Sequence, residues 1–130
     1  MPNETFHVFK AERNEAFYSS CNLDSSKYTE WAIVVLFYIC MHYVDAVLCL
    51  DTSLPKDLRD PIDHSNRSKA VALCPDLHEI ASKYLNLYRR SRDARYNEID
   101  FSRKYFNTLY TDYYCPVRDY LRKHLSLPTQ

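Results

Sequence analysis

The sequence predicts an all-α chain, an antiparallel bundle of four to five helices in a single domain, and three observations predict it. Glycine is absent from all 130 residues, where average usage would place about nine. Tight hairpins prefer Asn-Gly or Asp-Gly, and phosphate-cradling loops, dinucleotide-binding turns and nucleophile elbows need glycine where the backbone turns sharply. Apolar residues recur at helical spacing in one segment after another. Asn, Asp, Ser and Pro clusters punctuate those segments. A chain of this length buries one core and has no room for a second.

The first helix is expected from about Thr5 to Ser20, with Phe6, Phe9, Arg13, Ala16 and Phe17 at helical spacing and the charges Glu4, Lys10, Glu12 and Glu15 between them. Asn22-Leu23-Asp24-Ser25-Ser26 then supplies turn and capping chemistry. From Tyr28 to Leu50 the chain is nearly all apolar, with Trp31, Ile33, Val34, Leu36, Phe37, Ile39, Val44 and Leu48 among its residues. Its length suits a membrane span. His42 and Asp45 in its second half argue against one, because a mid-membrane Asp costs roughly 2.5–3.5 kcal/mol on insertion scales. A helix apolar all round is what the amphipathic helices beside it would enclose, so it is expected at the centre of the bundle with no membrane involved.

Asp51 to Asp63, with Pro55 and Pro61, shows neither helical nor strand period and predicts a long loop. His64 to Leu73 forms a short helix capped by Asp63 or Ser65, and Pro75 opens the next at a position where its missing N–H does no harm. Leu77, Ile80, Ala81, Tyr84, Leu87 and Tyr88 make one continuous stripe there, ending in Arg89-Arg90-Ser91-Arg92, cations that suit a helix C-terminus. After a break at Asn97 to Asp100, Ser102 caps a last stretch carrying Tyr105, Leu109 and Tyr113. Pro116 is expected to kink or interrupt it, Val117, Tyr120 and Leu121 continue its apolar face, and Leu127 to Gln130 is expected to fray.

Lys plus Arg and Asp plus Glu balance at seventeen each, so no global field attracts a polyanion or a membrane surface. Any nucleic-acid contact has to come from a local cluster. The cysteines at 21, 40, 49, 74 and 115 are odd in number and form no C-x-x-C pair. With no signal peptide recognisable at the amino end, they read as reduced packing residues of a cytoplasmic protein, and no metal or other cofactor is expected.

Three groups of side chains could carry chemistry. Tyr38, His42 and Asp45 fall at i, i+4 and i+7, a polar stripe on the central helix. They suit a histidine oriented by a carboxylate beside a pocket, or equally a buried pair satisfying itself in the core. His64 and Arg67 stand one turn apart beside the long loop. Imidazole can move the proton of a ribose 2′-hydroxyl and guanidinium can stabilise charge building on a phosphate, while the plainer reading is a solvated helix start. Arg89, Arg90, Arg92 and Arg95, flanked by Tyr88 and Tyr96, pair bidentate phosphate donors with stacking faces. They suit an RNA track or a solvated helix end. The tyrosines from Tyr105 to Tyr120 read as packing and as a surface for a homodimer.

In order and spacing these pieces resemble the HEPN family of small prokaryotic helical proteins. The resemblance rests on Ala11-x-x-Asn14-x-x-Phe17, on the run from Trp31 through Tyr38-x-x-x-His42-x-x-Asp45-Ala46, on His64-x-x-Arg67-x-x-x-Val71, and on Tyr84-x-x-Leu87-Tyr88-x-x-Ser91-Arg92-x-Ala94-Arg95-Tyr96. It implies a helical bundle, often dimeric, that cleaves RNA without metal in toxin-antitoxin or defence systems, or that only binds RNA or a protein partner such as an antitoxin. The family's catalytic signature is Arg and His four to six residues apart. Arg59 with His64 and Arg118 with His124 meet that spacing, a number that chance alone supplies in a chain this rich in arginine. If the chain cleaves RNA, residue types and placement point to His64 as general acid or base and Arg67 as phosphate clamp, with Arg89, Arg92, Arg95 and Tyr96 binding RNA.

Overall fold

The computed structural model describes residues 3–25, 27–97 and 101–128, and among them every regular element is helical. Helix α1 is Glu4–Ser20 and α2 is Thr29–Leu50, joined through a 3-10 turn at Leu23–Ser25. Short α3, Lys56–Arg59, and α4, His64–Leu73, lead through a second 3-10 turn at Pro75–Leu77 to α5, Ala81–Tyr96. The chain closes with α6, Arg103–Leu109, a π-helical turn at Tyr110–Tyr114, and α7, Cys115–His124. The capping expected of Ser26, the break at 98–100 and the fraying at 129–130 lie outside the described residues.

Helix α2 is the axis of the bundle. Ile33, Leu36, Phe37, Ile39, Cys40, Tyr43, Val44, Val47 and Leu48 point to different sides of it and are all essentially inaccessible to water. Removing each large side chain from water contributes about 1.5–3 kcal/mol. Helices α1, α5 and α7 pack around it and supply Ala11, Tyr84, Leu87, Val117 and Leu121 to the same core. By length and composition alone α2 could cross a membrane, but most of its apolar window is enclosed by the rest of the chain.

Three details depart from what the pattern predicts. Helix α1 turns its other stripe inward, burying His7, Ala11 and Tyr18 and leaving Phe6, Phe9 and Phe17 about half exposed. The methyl-sized Ala11, at 0% exposure, lets α2 approach closely, and Glu15 on the inward side accepts a hydrogen bond from the Tyr43 hydroxyl at 2.5 Å. The expected loop at 51–63 contains α3 and anchors Leu54 and Leu58 in the core. Pro75 opens a 3-10 turn rather than α5 itself, which begins at Ala81.

The interruption expected at Pro116 takes the form of a π turn between α6 and α7. This turn, just ahead of the proline, gives Cys115 N–H the Tyr110 carbonyl as partner. A proline ring clashes with the carbonyl four residues back in an α-helix, and the wider turn relieves that contact.

Candidate functional site

Three elements bring the candidate residues to one corner. The middle of α2 supplies Phe37, Tyr38 and Asp45, the first turn of α4 supplies His64 and Arg67, and α5 supplies Tyr88 and Arg95. Helix α4 begins where it does because the Asp63 carboxylate accepts the Asn66 N–H at 2.7 Å, an N-cap that fixes the phase of everything after it. His64 and Arg67 consequently share one side of α4 and meet each other.

Arg67 is buried, at 7% exposure. Its Nε donates to Asp45 Oδ1 at 2.7 Å and its Nη2 to Asp45 Oδ2 at 3.1 Å, the fork-to-fork geometry of a carboxylate pair. Nη2 also donates to the Pro61 carbonyl at 3.1 Å. Burial pushes the Asp45 carboxyl up while the Arg67 hydrogen bonds and charge pull it back, and Asp45 in turn holds Arg67 charged against its own burial. Two N–H donors aimed at two oxygens fit an ionised carboxylate, since a protonated one would waste a donor. Arg67 is thus committed to the interior and does not present its fork to a phosphate at the surface.

Its remaining contact reaches outward. Arg67 Nη1 lies 3.4 Å from His64 Nδ1. A guanidinium only donates, so Nδ1 is the acceptor and the imidazole proton sits on Nε2. Burial, followed by the positive charges of Arg67 and Arg95, lowers the pKa of His64 below its ordinary 6.5. His64 is therefore a neutral imidazole with an N–H to offer. Taking a second proton is opposed by burial and by two guanidinium groups, so the neutral form is the one held at this corner.

Aromatic rings hold that imidazole in place. Its centroid lies 4.9 Å from Tyr88, 5.9 Å from Phe37 and 6.5 Å from Tyr38. Arg95 Nη1 donates to the Tyr38 hydroxyl at 2.9 Å, and its guanidinium lies over the Tyr38 ring at 5.6 Å and the Tyr96 ring at 5.1 Å. The corner thus combines a fixed N–H donor, a fixed cation and flat apolar faces. Arg89 and Arg92 stand exposed on α5 between Tyr88 and Arg95, where they line a shallow cleft with Arg90, Asp93, Tyr96 and Asn97. Arg90 pairs with Asp93 at 3.3 Å.

The expected stripe of Tyr38, His42 and Asp45 is split between two environments. Tyr38 serves Arg95, and Asp45 serves Arg67 instead of His42. His42 lies beside Asp45 and beside His7 of α1, the three having ligand atoms within 4.8 Å of one another. Burial first, with His7 and Arg67 adding to it, pushes the His42 pKa down to about 4. The spaced pairs Arg59 with His64 and Arg118 with His124 form no hydrogen bond among the described residues. Arg118 caps the Tyr114 ring and pairs with Asp119, while His124 faces Asp76.

Two features were not singled out from the sequence. His7 belongs to the stripe that α1 buries, signalled only by its spacing to Ala11 and Tyr18. Arg122, at 3% exposure, is a second buried arginine, with Nη1 on the Tyr43 hydroxyl and 3.7 Å from both Glu12 and Glu15. Comparison of the chain with protein-family models, with curated proteins and with solved structures finds no match.

Proposed function

We propose that this chain is a HEPN-like RNA-binding protein whose contact face is the corner formed by His64, Arg95, Tyr38 and Tyr88, with Arg89, Arg92 and Tyr96 extending it. One observation carries the reading: His64 and Arg95 both pack on Tyr38, which sets an N–H donor and a cation side by side among aromatic faces. Phosphate oxygens accept from the donor and pair with the cation, and unstacked bases lie on the rings. Because the chain carries no net charge, affinity comes from this local cluster and falls steeply with salt.

The test is binding of a fluorescent single-stranded RNA by the wild type, His64→Ala and Arg95→Ala, all checked for unchanged helicity. Each substitution should weaken binding about tenfold, the worth of one charge-assisted contact. Wild-type affinity in both variants would refute the assignment. Arg67 is left intact, since its removal reads out folding rather than contact.

A second reading, a metal-independent ribonuclease, is favoured by the way Asp45 orients Arg67 and Arg67 orients His64. The RNA's own 2′-hydroxyl would attack the adjacent phosphorus, expelling a 5′-hydroxyl and leaving a 2′,3′-cyclic phosphate. Cleavage of the same RNA in EDTA, lost in His64→Ala, would establish it. A divalent requirement or cleavage of DNA would exclude it.

A homodimer belongs to the same proposal. The tyrosines expected to form its surface are mostly packed, Tyr114 wholly so and Tyr110, Tyr113 and Tyr120 in part. The exposed Phe6, Phe9 and Phe17 on α1 are the better candidate. Phe9→Glu should give a monomer by light scattering where the wild type is a dimer.

A further inference from the structure

We propose that His7, His42 and Asp45 form a binding site for a divalent transition-metal ion of the zinc type, at the seam between α1 and α2. His42 and Asp45 lie one turn apart on α2, and His7 meets them from the facing side of α1, so that one ligand atom from each falls within 4.8 Å of the others. Ligand atoms around a tetrahedral ion stand about 3.4 Å apart at the usual bond lengths of about 2.1 Å. Side-chain rotation closes that difference.

An independent observation points into the same seam. His7 is 7% exposed, and its Nε2 is buried with no hydrogen-bond partner among the described residues. A buried imidazole nitrogen without a partner is destabilising. The neighbouring His42 and Asp45 offer the only other donor atoms of this cluster, and an ion between them satisfies the nitrogen. Burial keeps both imidazoles neutral, the form that ligates.

Arg67 does not close the site to a cation. It takes one lone pair on each Asp45 oxygen, and each oxygen keeps another. Arg67 then acts as the outer partner that fixes the carboxylate, as such partners do around metal ligands. Asp60 lies near enough to influence both His7 and Asp45 and offsets part of the added positive charge. Two imidazoles and one carboxylate suit zinc, cobalt or nickel better than magnesium or calcium, which prefer all-oxygen sets. His42 is only partly buried, which leaves a route for the ion and a position for water.

The test uses the tag-free 130-residue chain, stripped with chelator and dialysed, then titrated with Co2+ and separately with Zn2+. The wild type should develop a visible cobalt absorption band that one equivalent of Zn2+ removes, and Zn2+ should raise its Tm. His7→Phe separates ligation from packing, because an apolar ring in place of an unpartnered imidazole should leave the metal-free Tm equal or higher while abolishing the band and the shift. His42→Asn should weaken Co2+ binding at least ~10-fold, and His124→Ala, at an exposed histidine, should change nothing. Absence of the band and of the Tm shift in the wild type, or their persistence in His7→Phe, would overturn the proposal. RNA affinity measured on the stripped protein keeps this outcome separate from the RNA reading.

Discussion

Arg67 and Arg122 are both buried arginines that grip the central helix, and they are used in opposite ways. Arg67 directs three hydrogen bonds inward, to Asp45 and Pro61, and turns its last nitrogen to His64. Above it lies a corner of exposed and half-exposed arginines and tyrosines. Arg122 reaches the Tyr43 hydroxyl, the two α1 glutamates and the Pro128 carbonyl, and so ties α1, α2 and the end of the chain together. Its contacts run between helices, with only Glu12 among those partners half exposed. A buried charge can thus either lock helices or hold a side chain ready at the surface, and the difference lies in what its last donor touches.

The largest effect should come from Asp45→Asn. It leaves Arg67 charged and short of its partner in the interior, and removing one member of a buried pair costs about 3–5 kcal/mol. Urea unfolding reads this as a drop in midpoint at unchanged slope. Replacing both residues, Asp45→Leu with Arg67→Met, should recover most of that stability, because a well-packed apolar pair is often neutral relative to a buried ion pair. RNA affinity should not return, since His64 Nδ1 then has no donor to fix it. Recovery of both together would dissolve the distinction between the two arginines.

Arg122→Met should cost less, about 1.5–3 kcal/mol, the worth of hydrogen bonds to a charged group. Glu12 is already half exposed and rehydrates, and the bond from Tyr43 to Glu15 remains. RNA binding should be unchanged. If Arg122→Met weakened RNA binding as strongly as His64→Ala, the role assigned to the lock would be wrong.

Acid should separate the regions further. The folded pKa of His64 lies below 6.5 and that of His42 near 4, so between those values the unfolded chain binds more protons than the folded one. Stability contributed by keeping these rings neutral is complete above the unfolded pKa and is lost as pH falls from about 6.5 toward 4. A Tm series over that range should decline in the wild type and more gently in His64→Gln. An equal slope would mean that burial and the charges of Arg67 and Arg95 do not hold the imidazole neutral.

The smallest effect on folding should be that of Arg89→Glu with Arg92→Glu, within about 0.5 kcal/mol for exposed positions. Its effect belongs to binding. The slope of log affinity against log salt should flatten by about 0.7 for each phosphate of a single strand that these arginines neutralise in the wild type. An unchanged slope would remove Arg89 and Arg92 from the RNA face.

The sequence by itself determined the architecture. The absence of glycine, the apolar run at Tyr28 to Leu50 and the stripe from Leu77 to Tyr88 are local signals, and local signals are enough to set helices and to rank which is most buried. They also placed His64 and Arg67 within reach of each other, since i and i+3 on one helix are neighbours whatever the rest of the chain does. Only the tertiary structure decided which of α1's two stripes faces inward, because both have helical period and the choice depends on Ala11 meeting α2 and Glu15 meeting Tyr43. The same holds for the partner of Arg67, twenty-two residues from Asp45, and for the meeting of His7 with His42. Periodicity records the phase of a helix about its own axis, and the rotation of one helix against another is settled by side chains far apart in the chain.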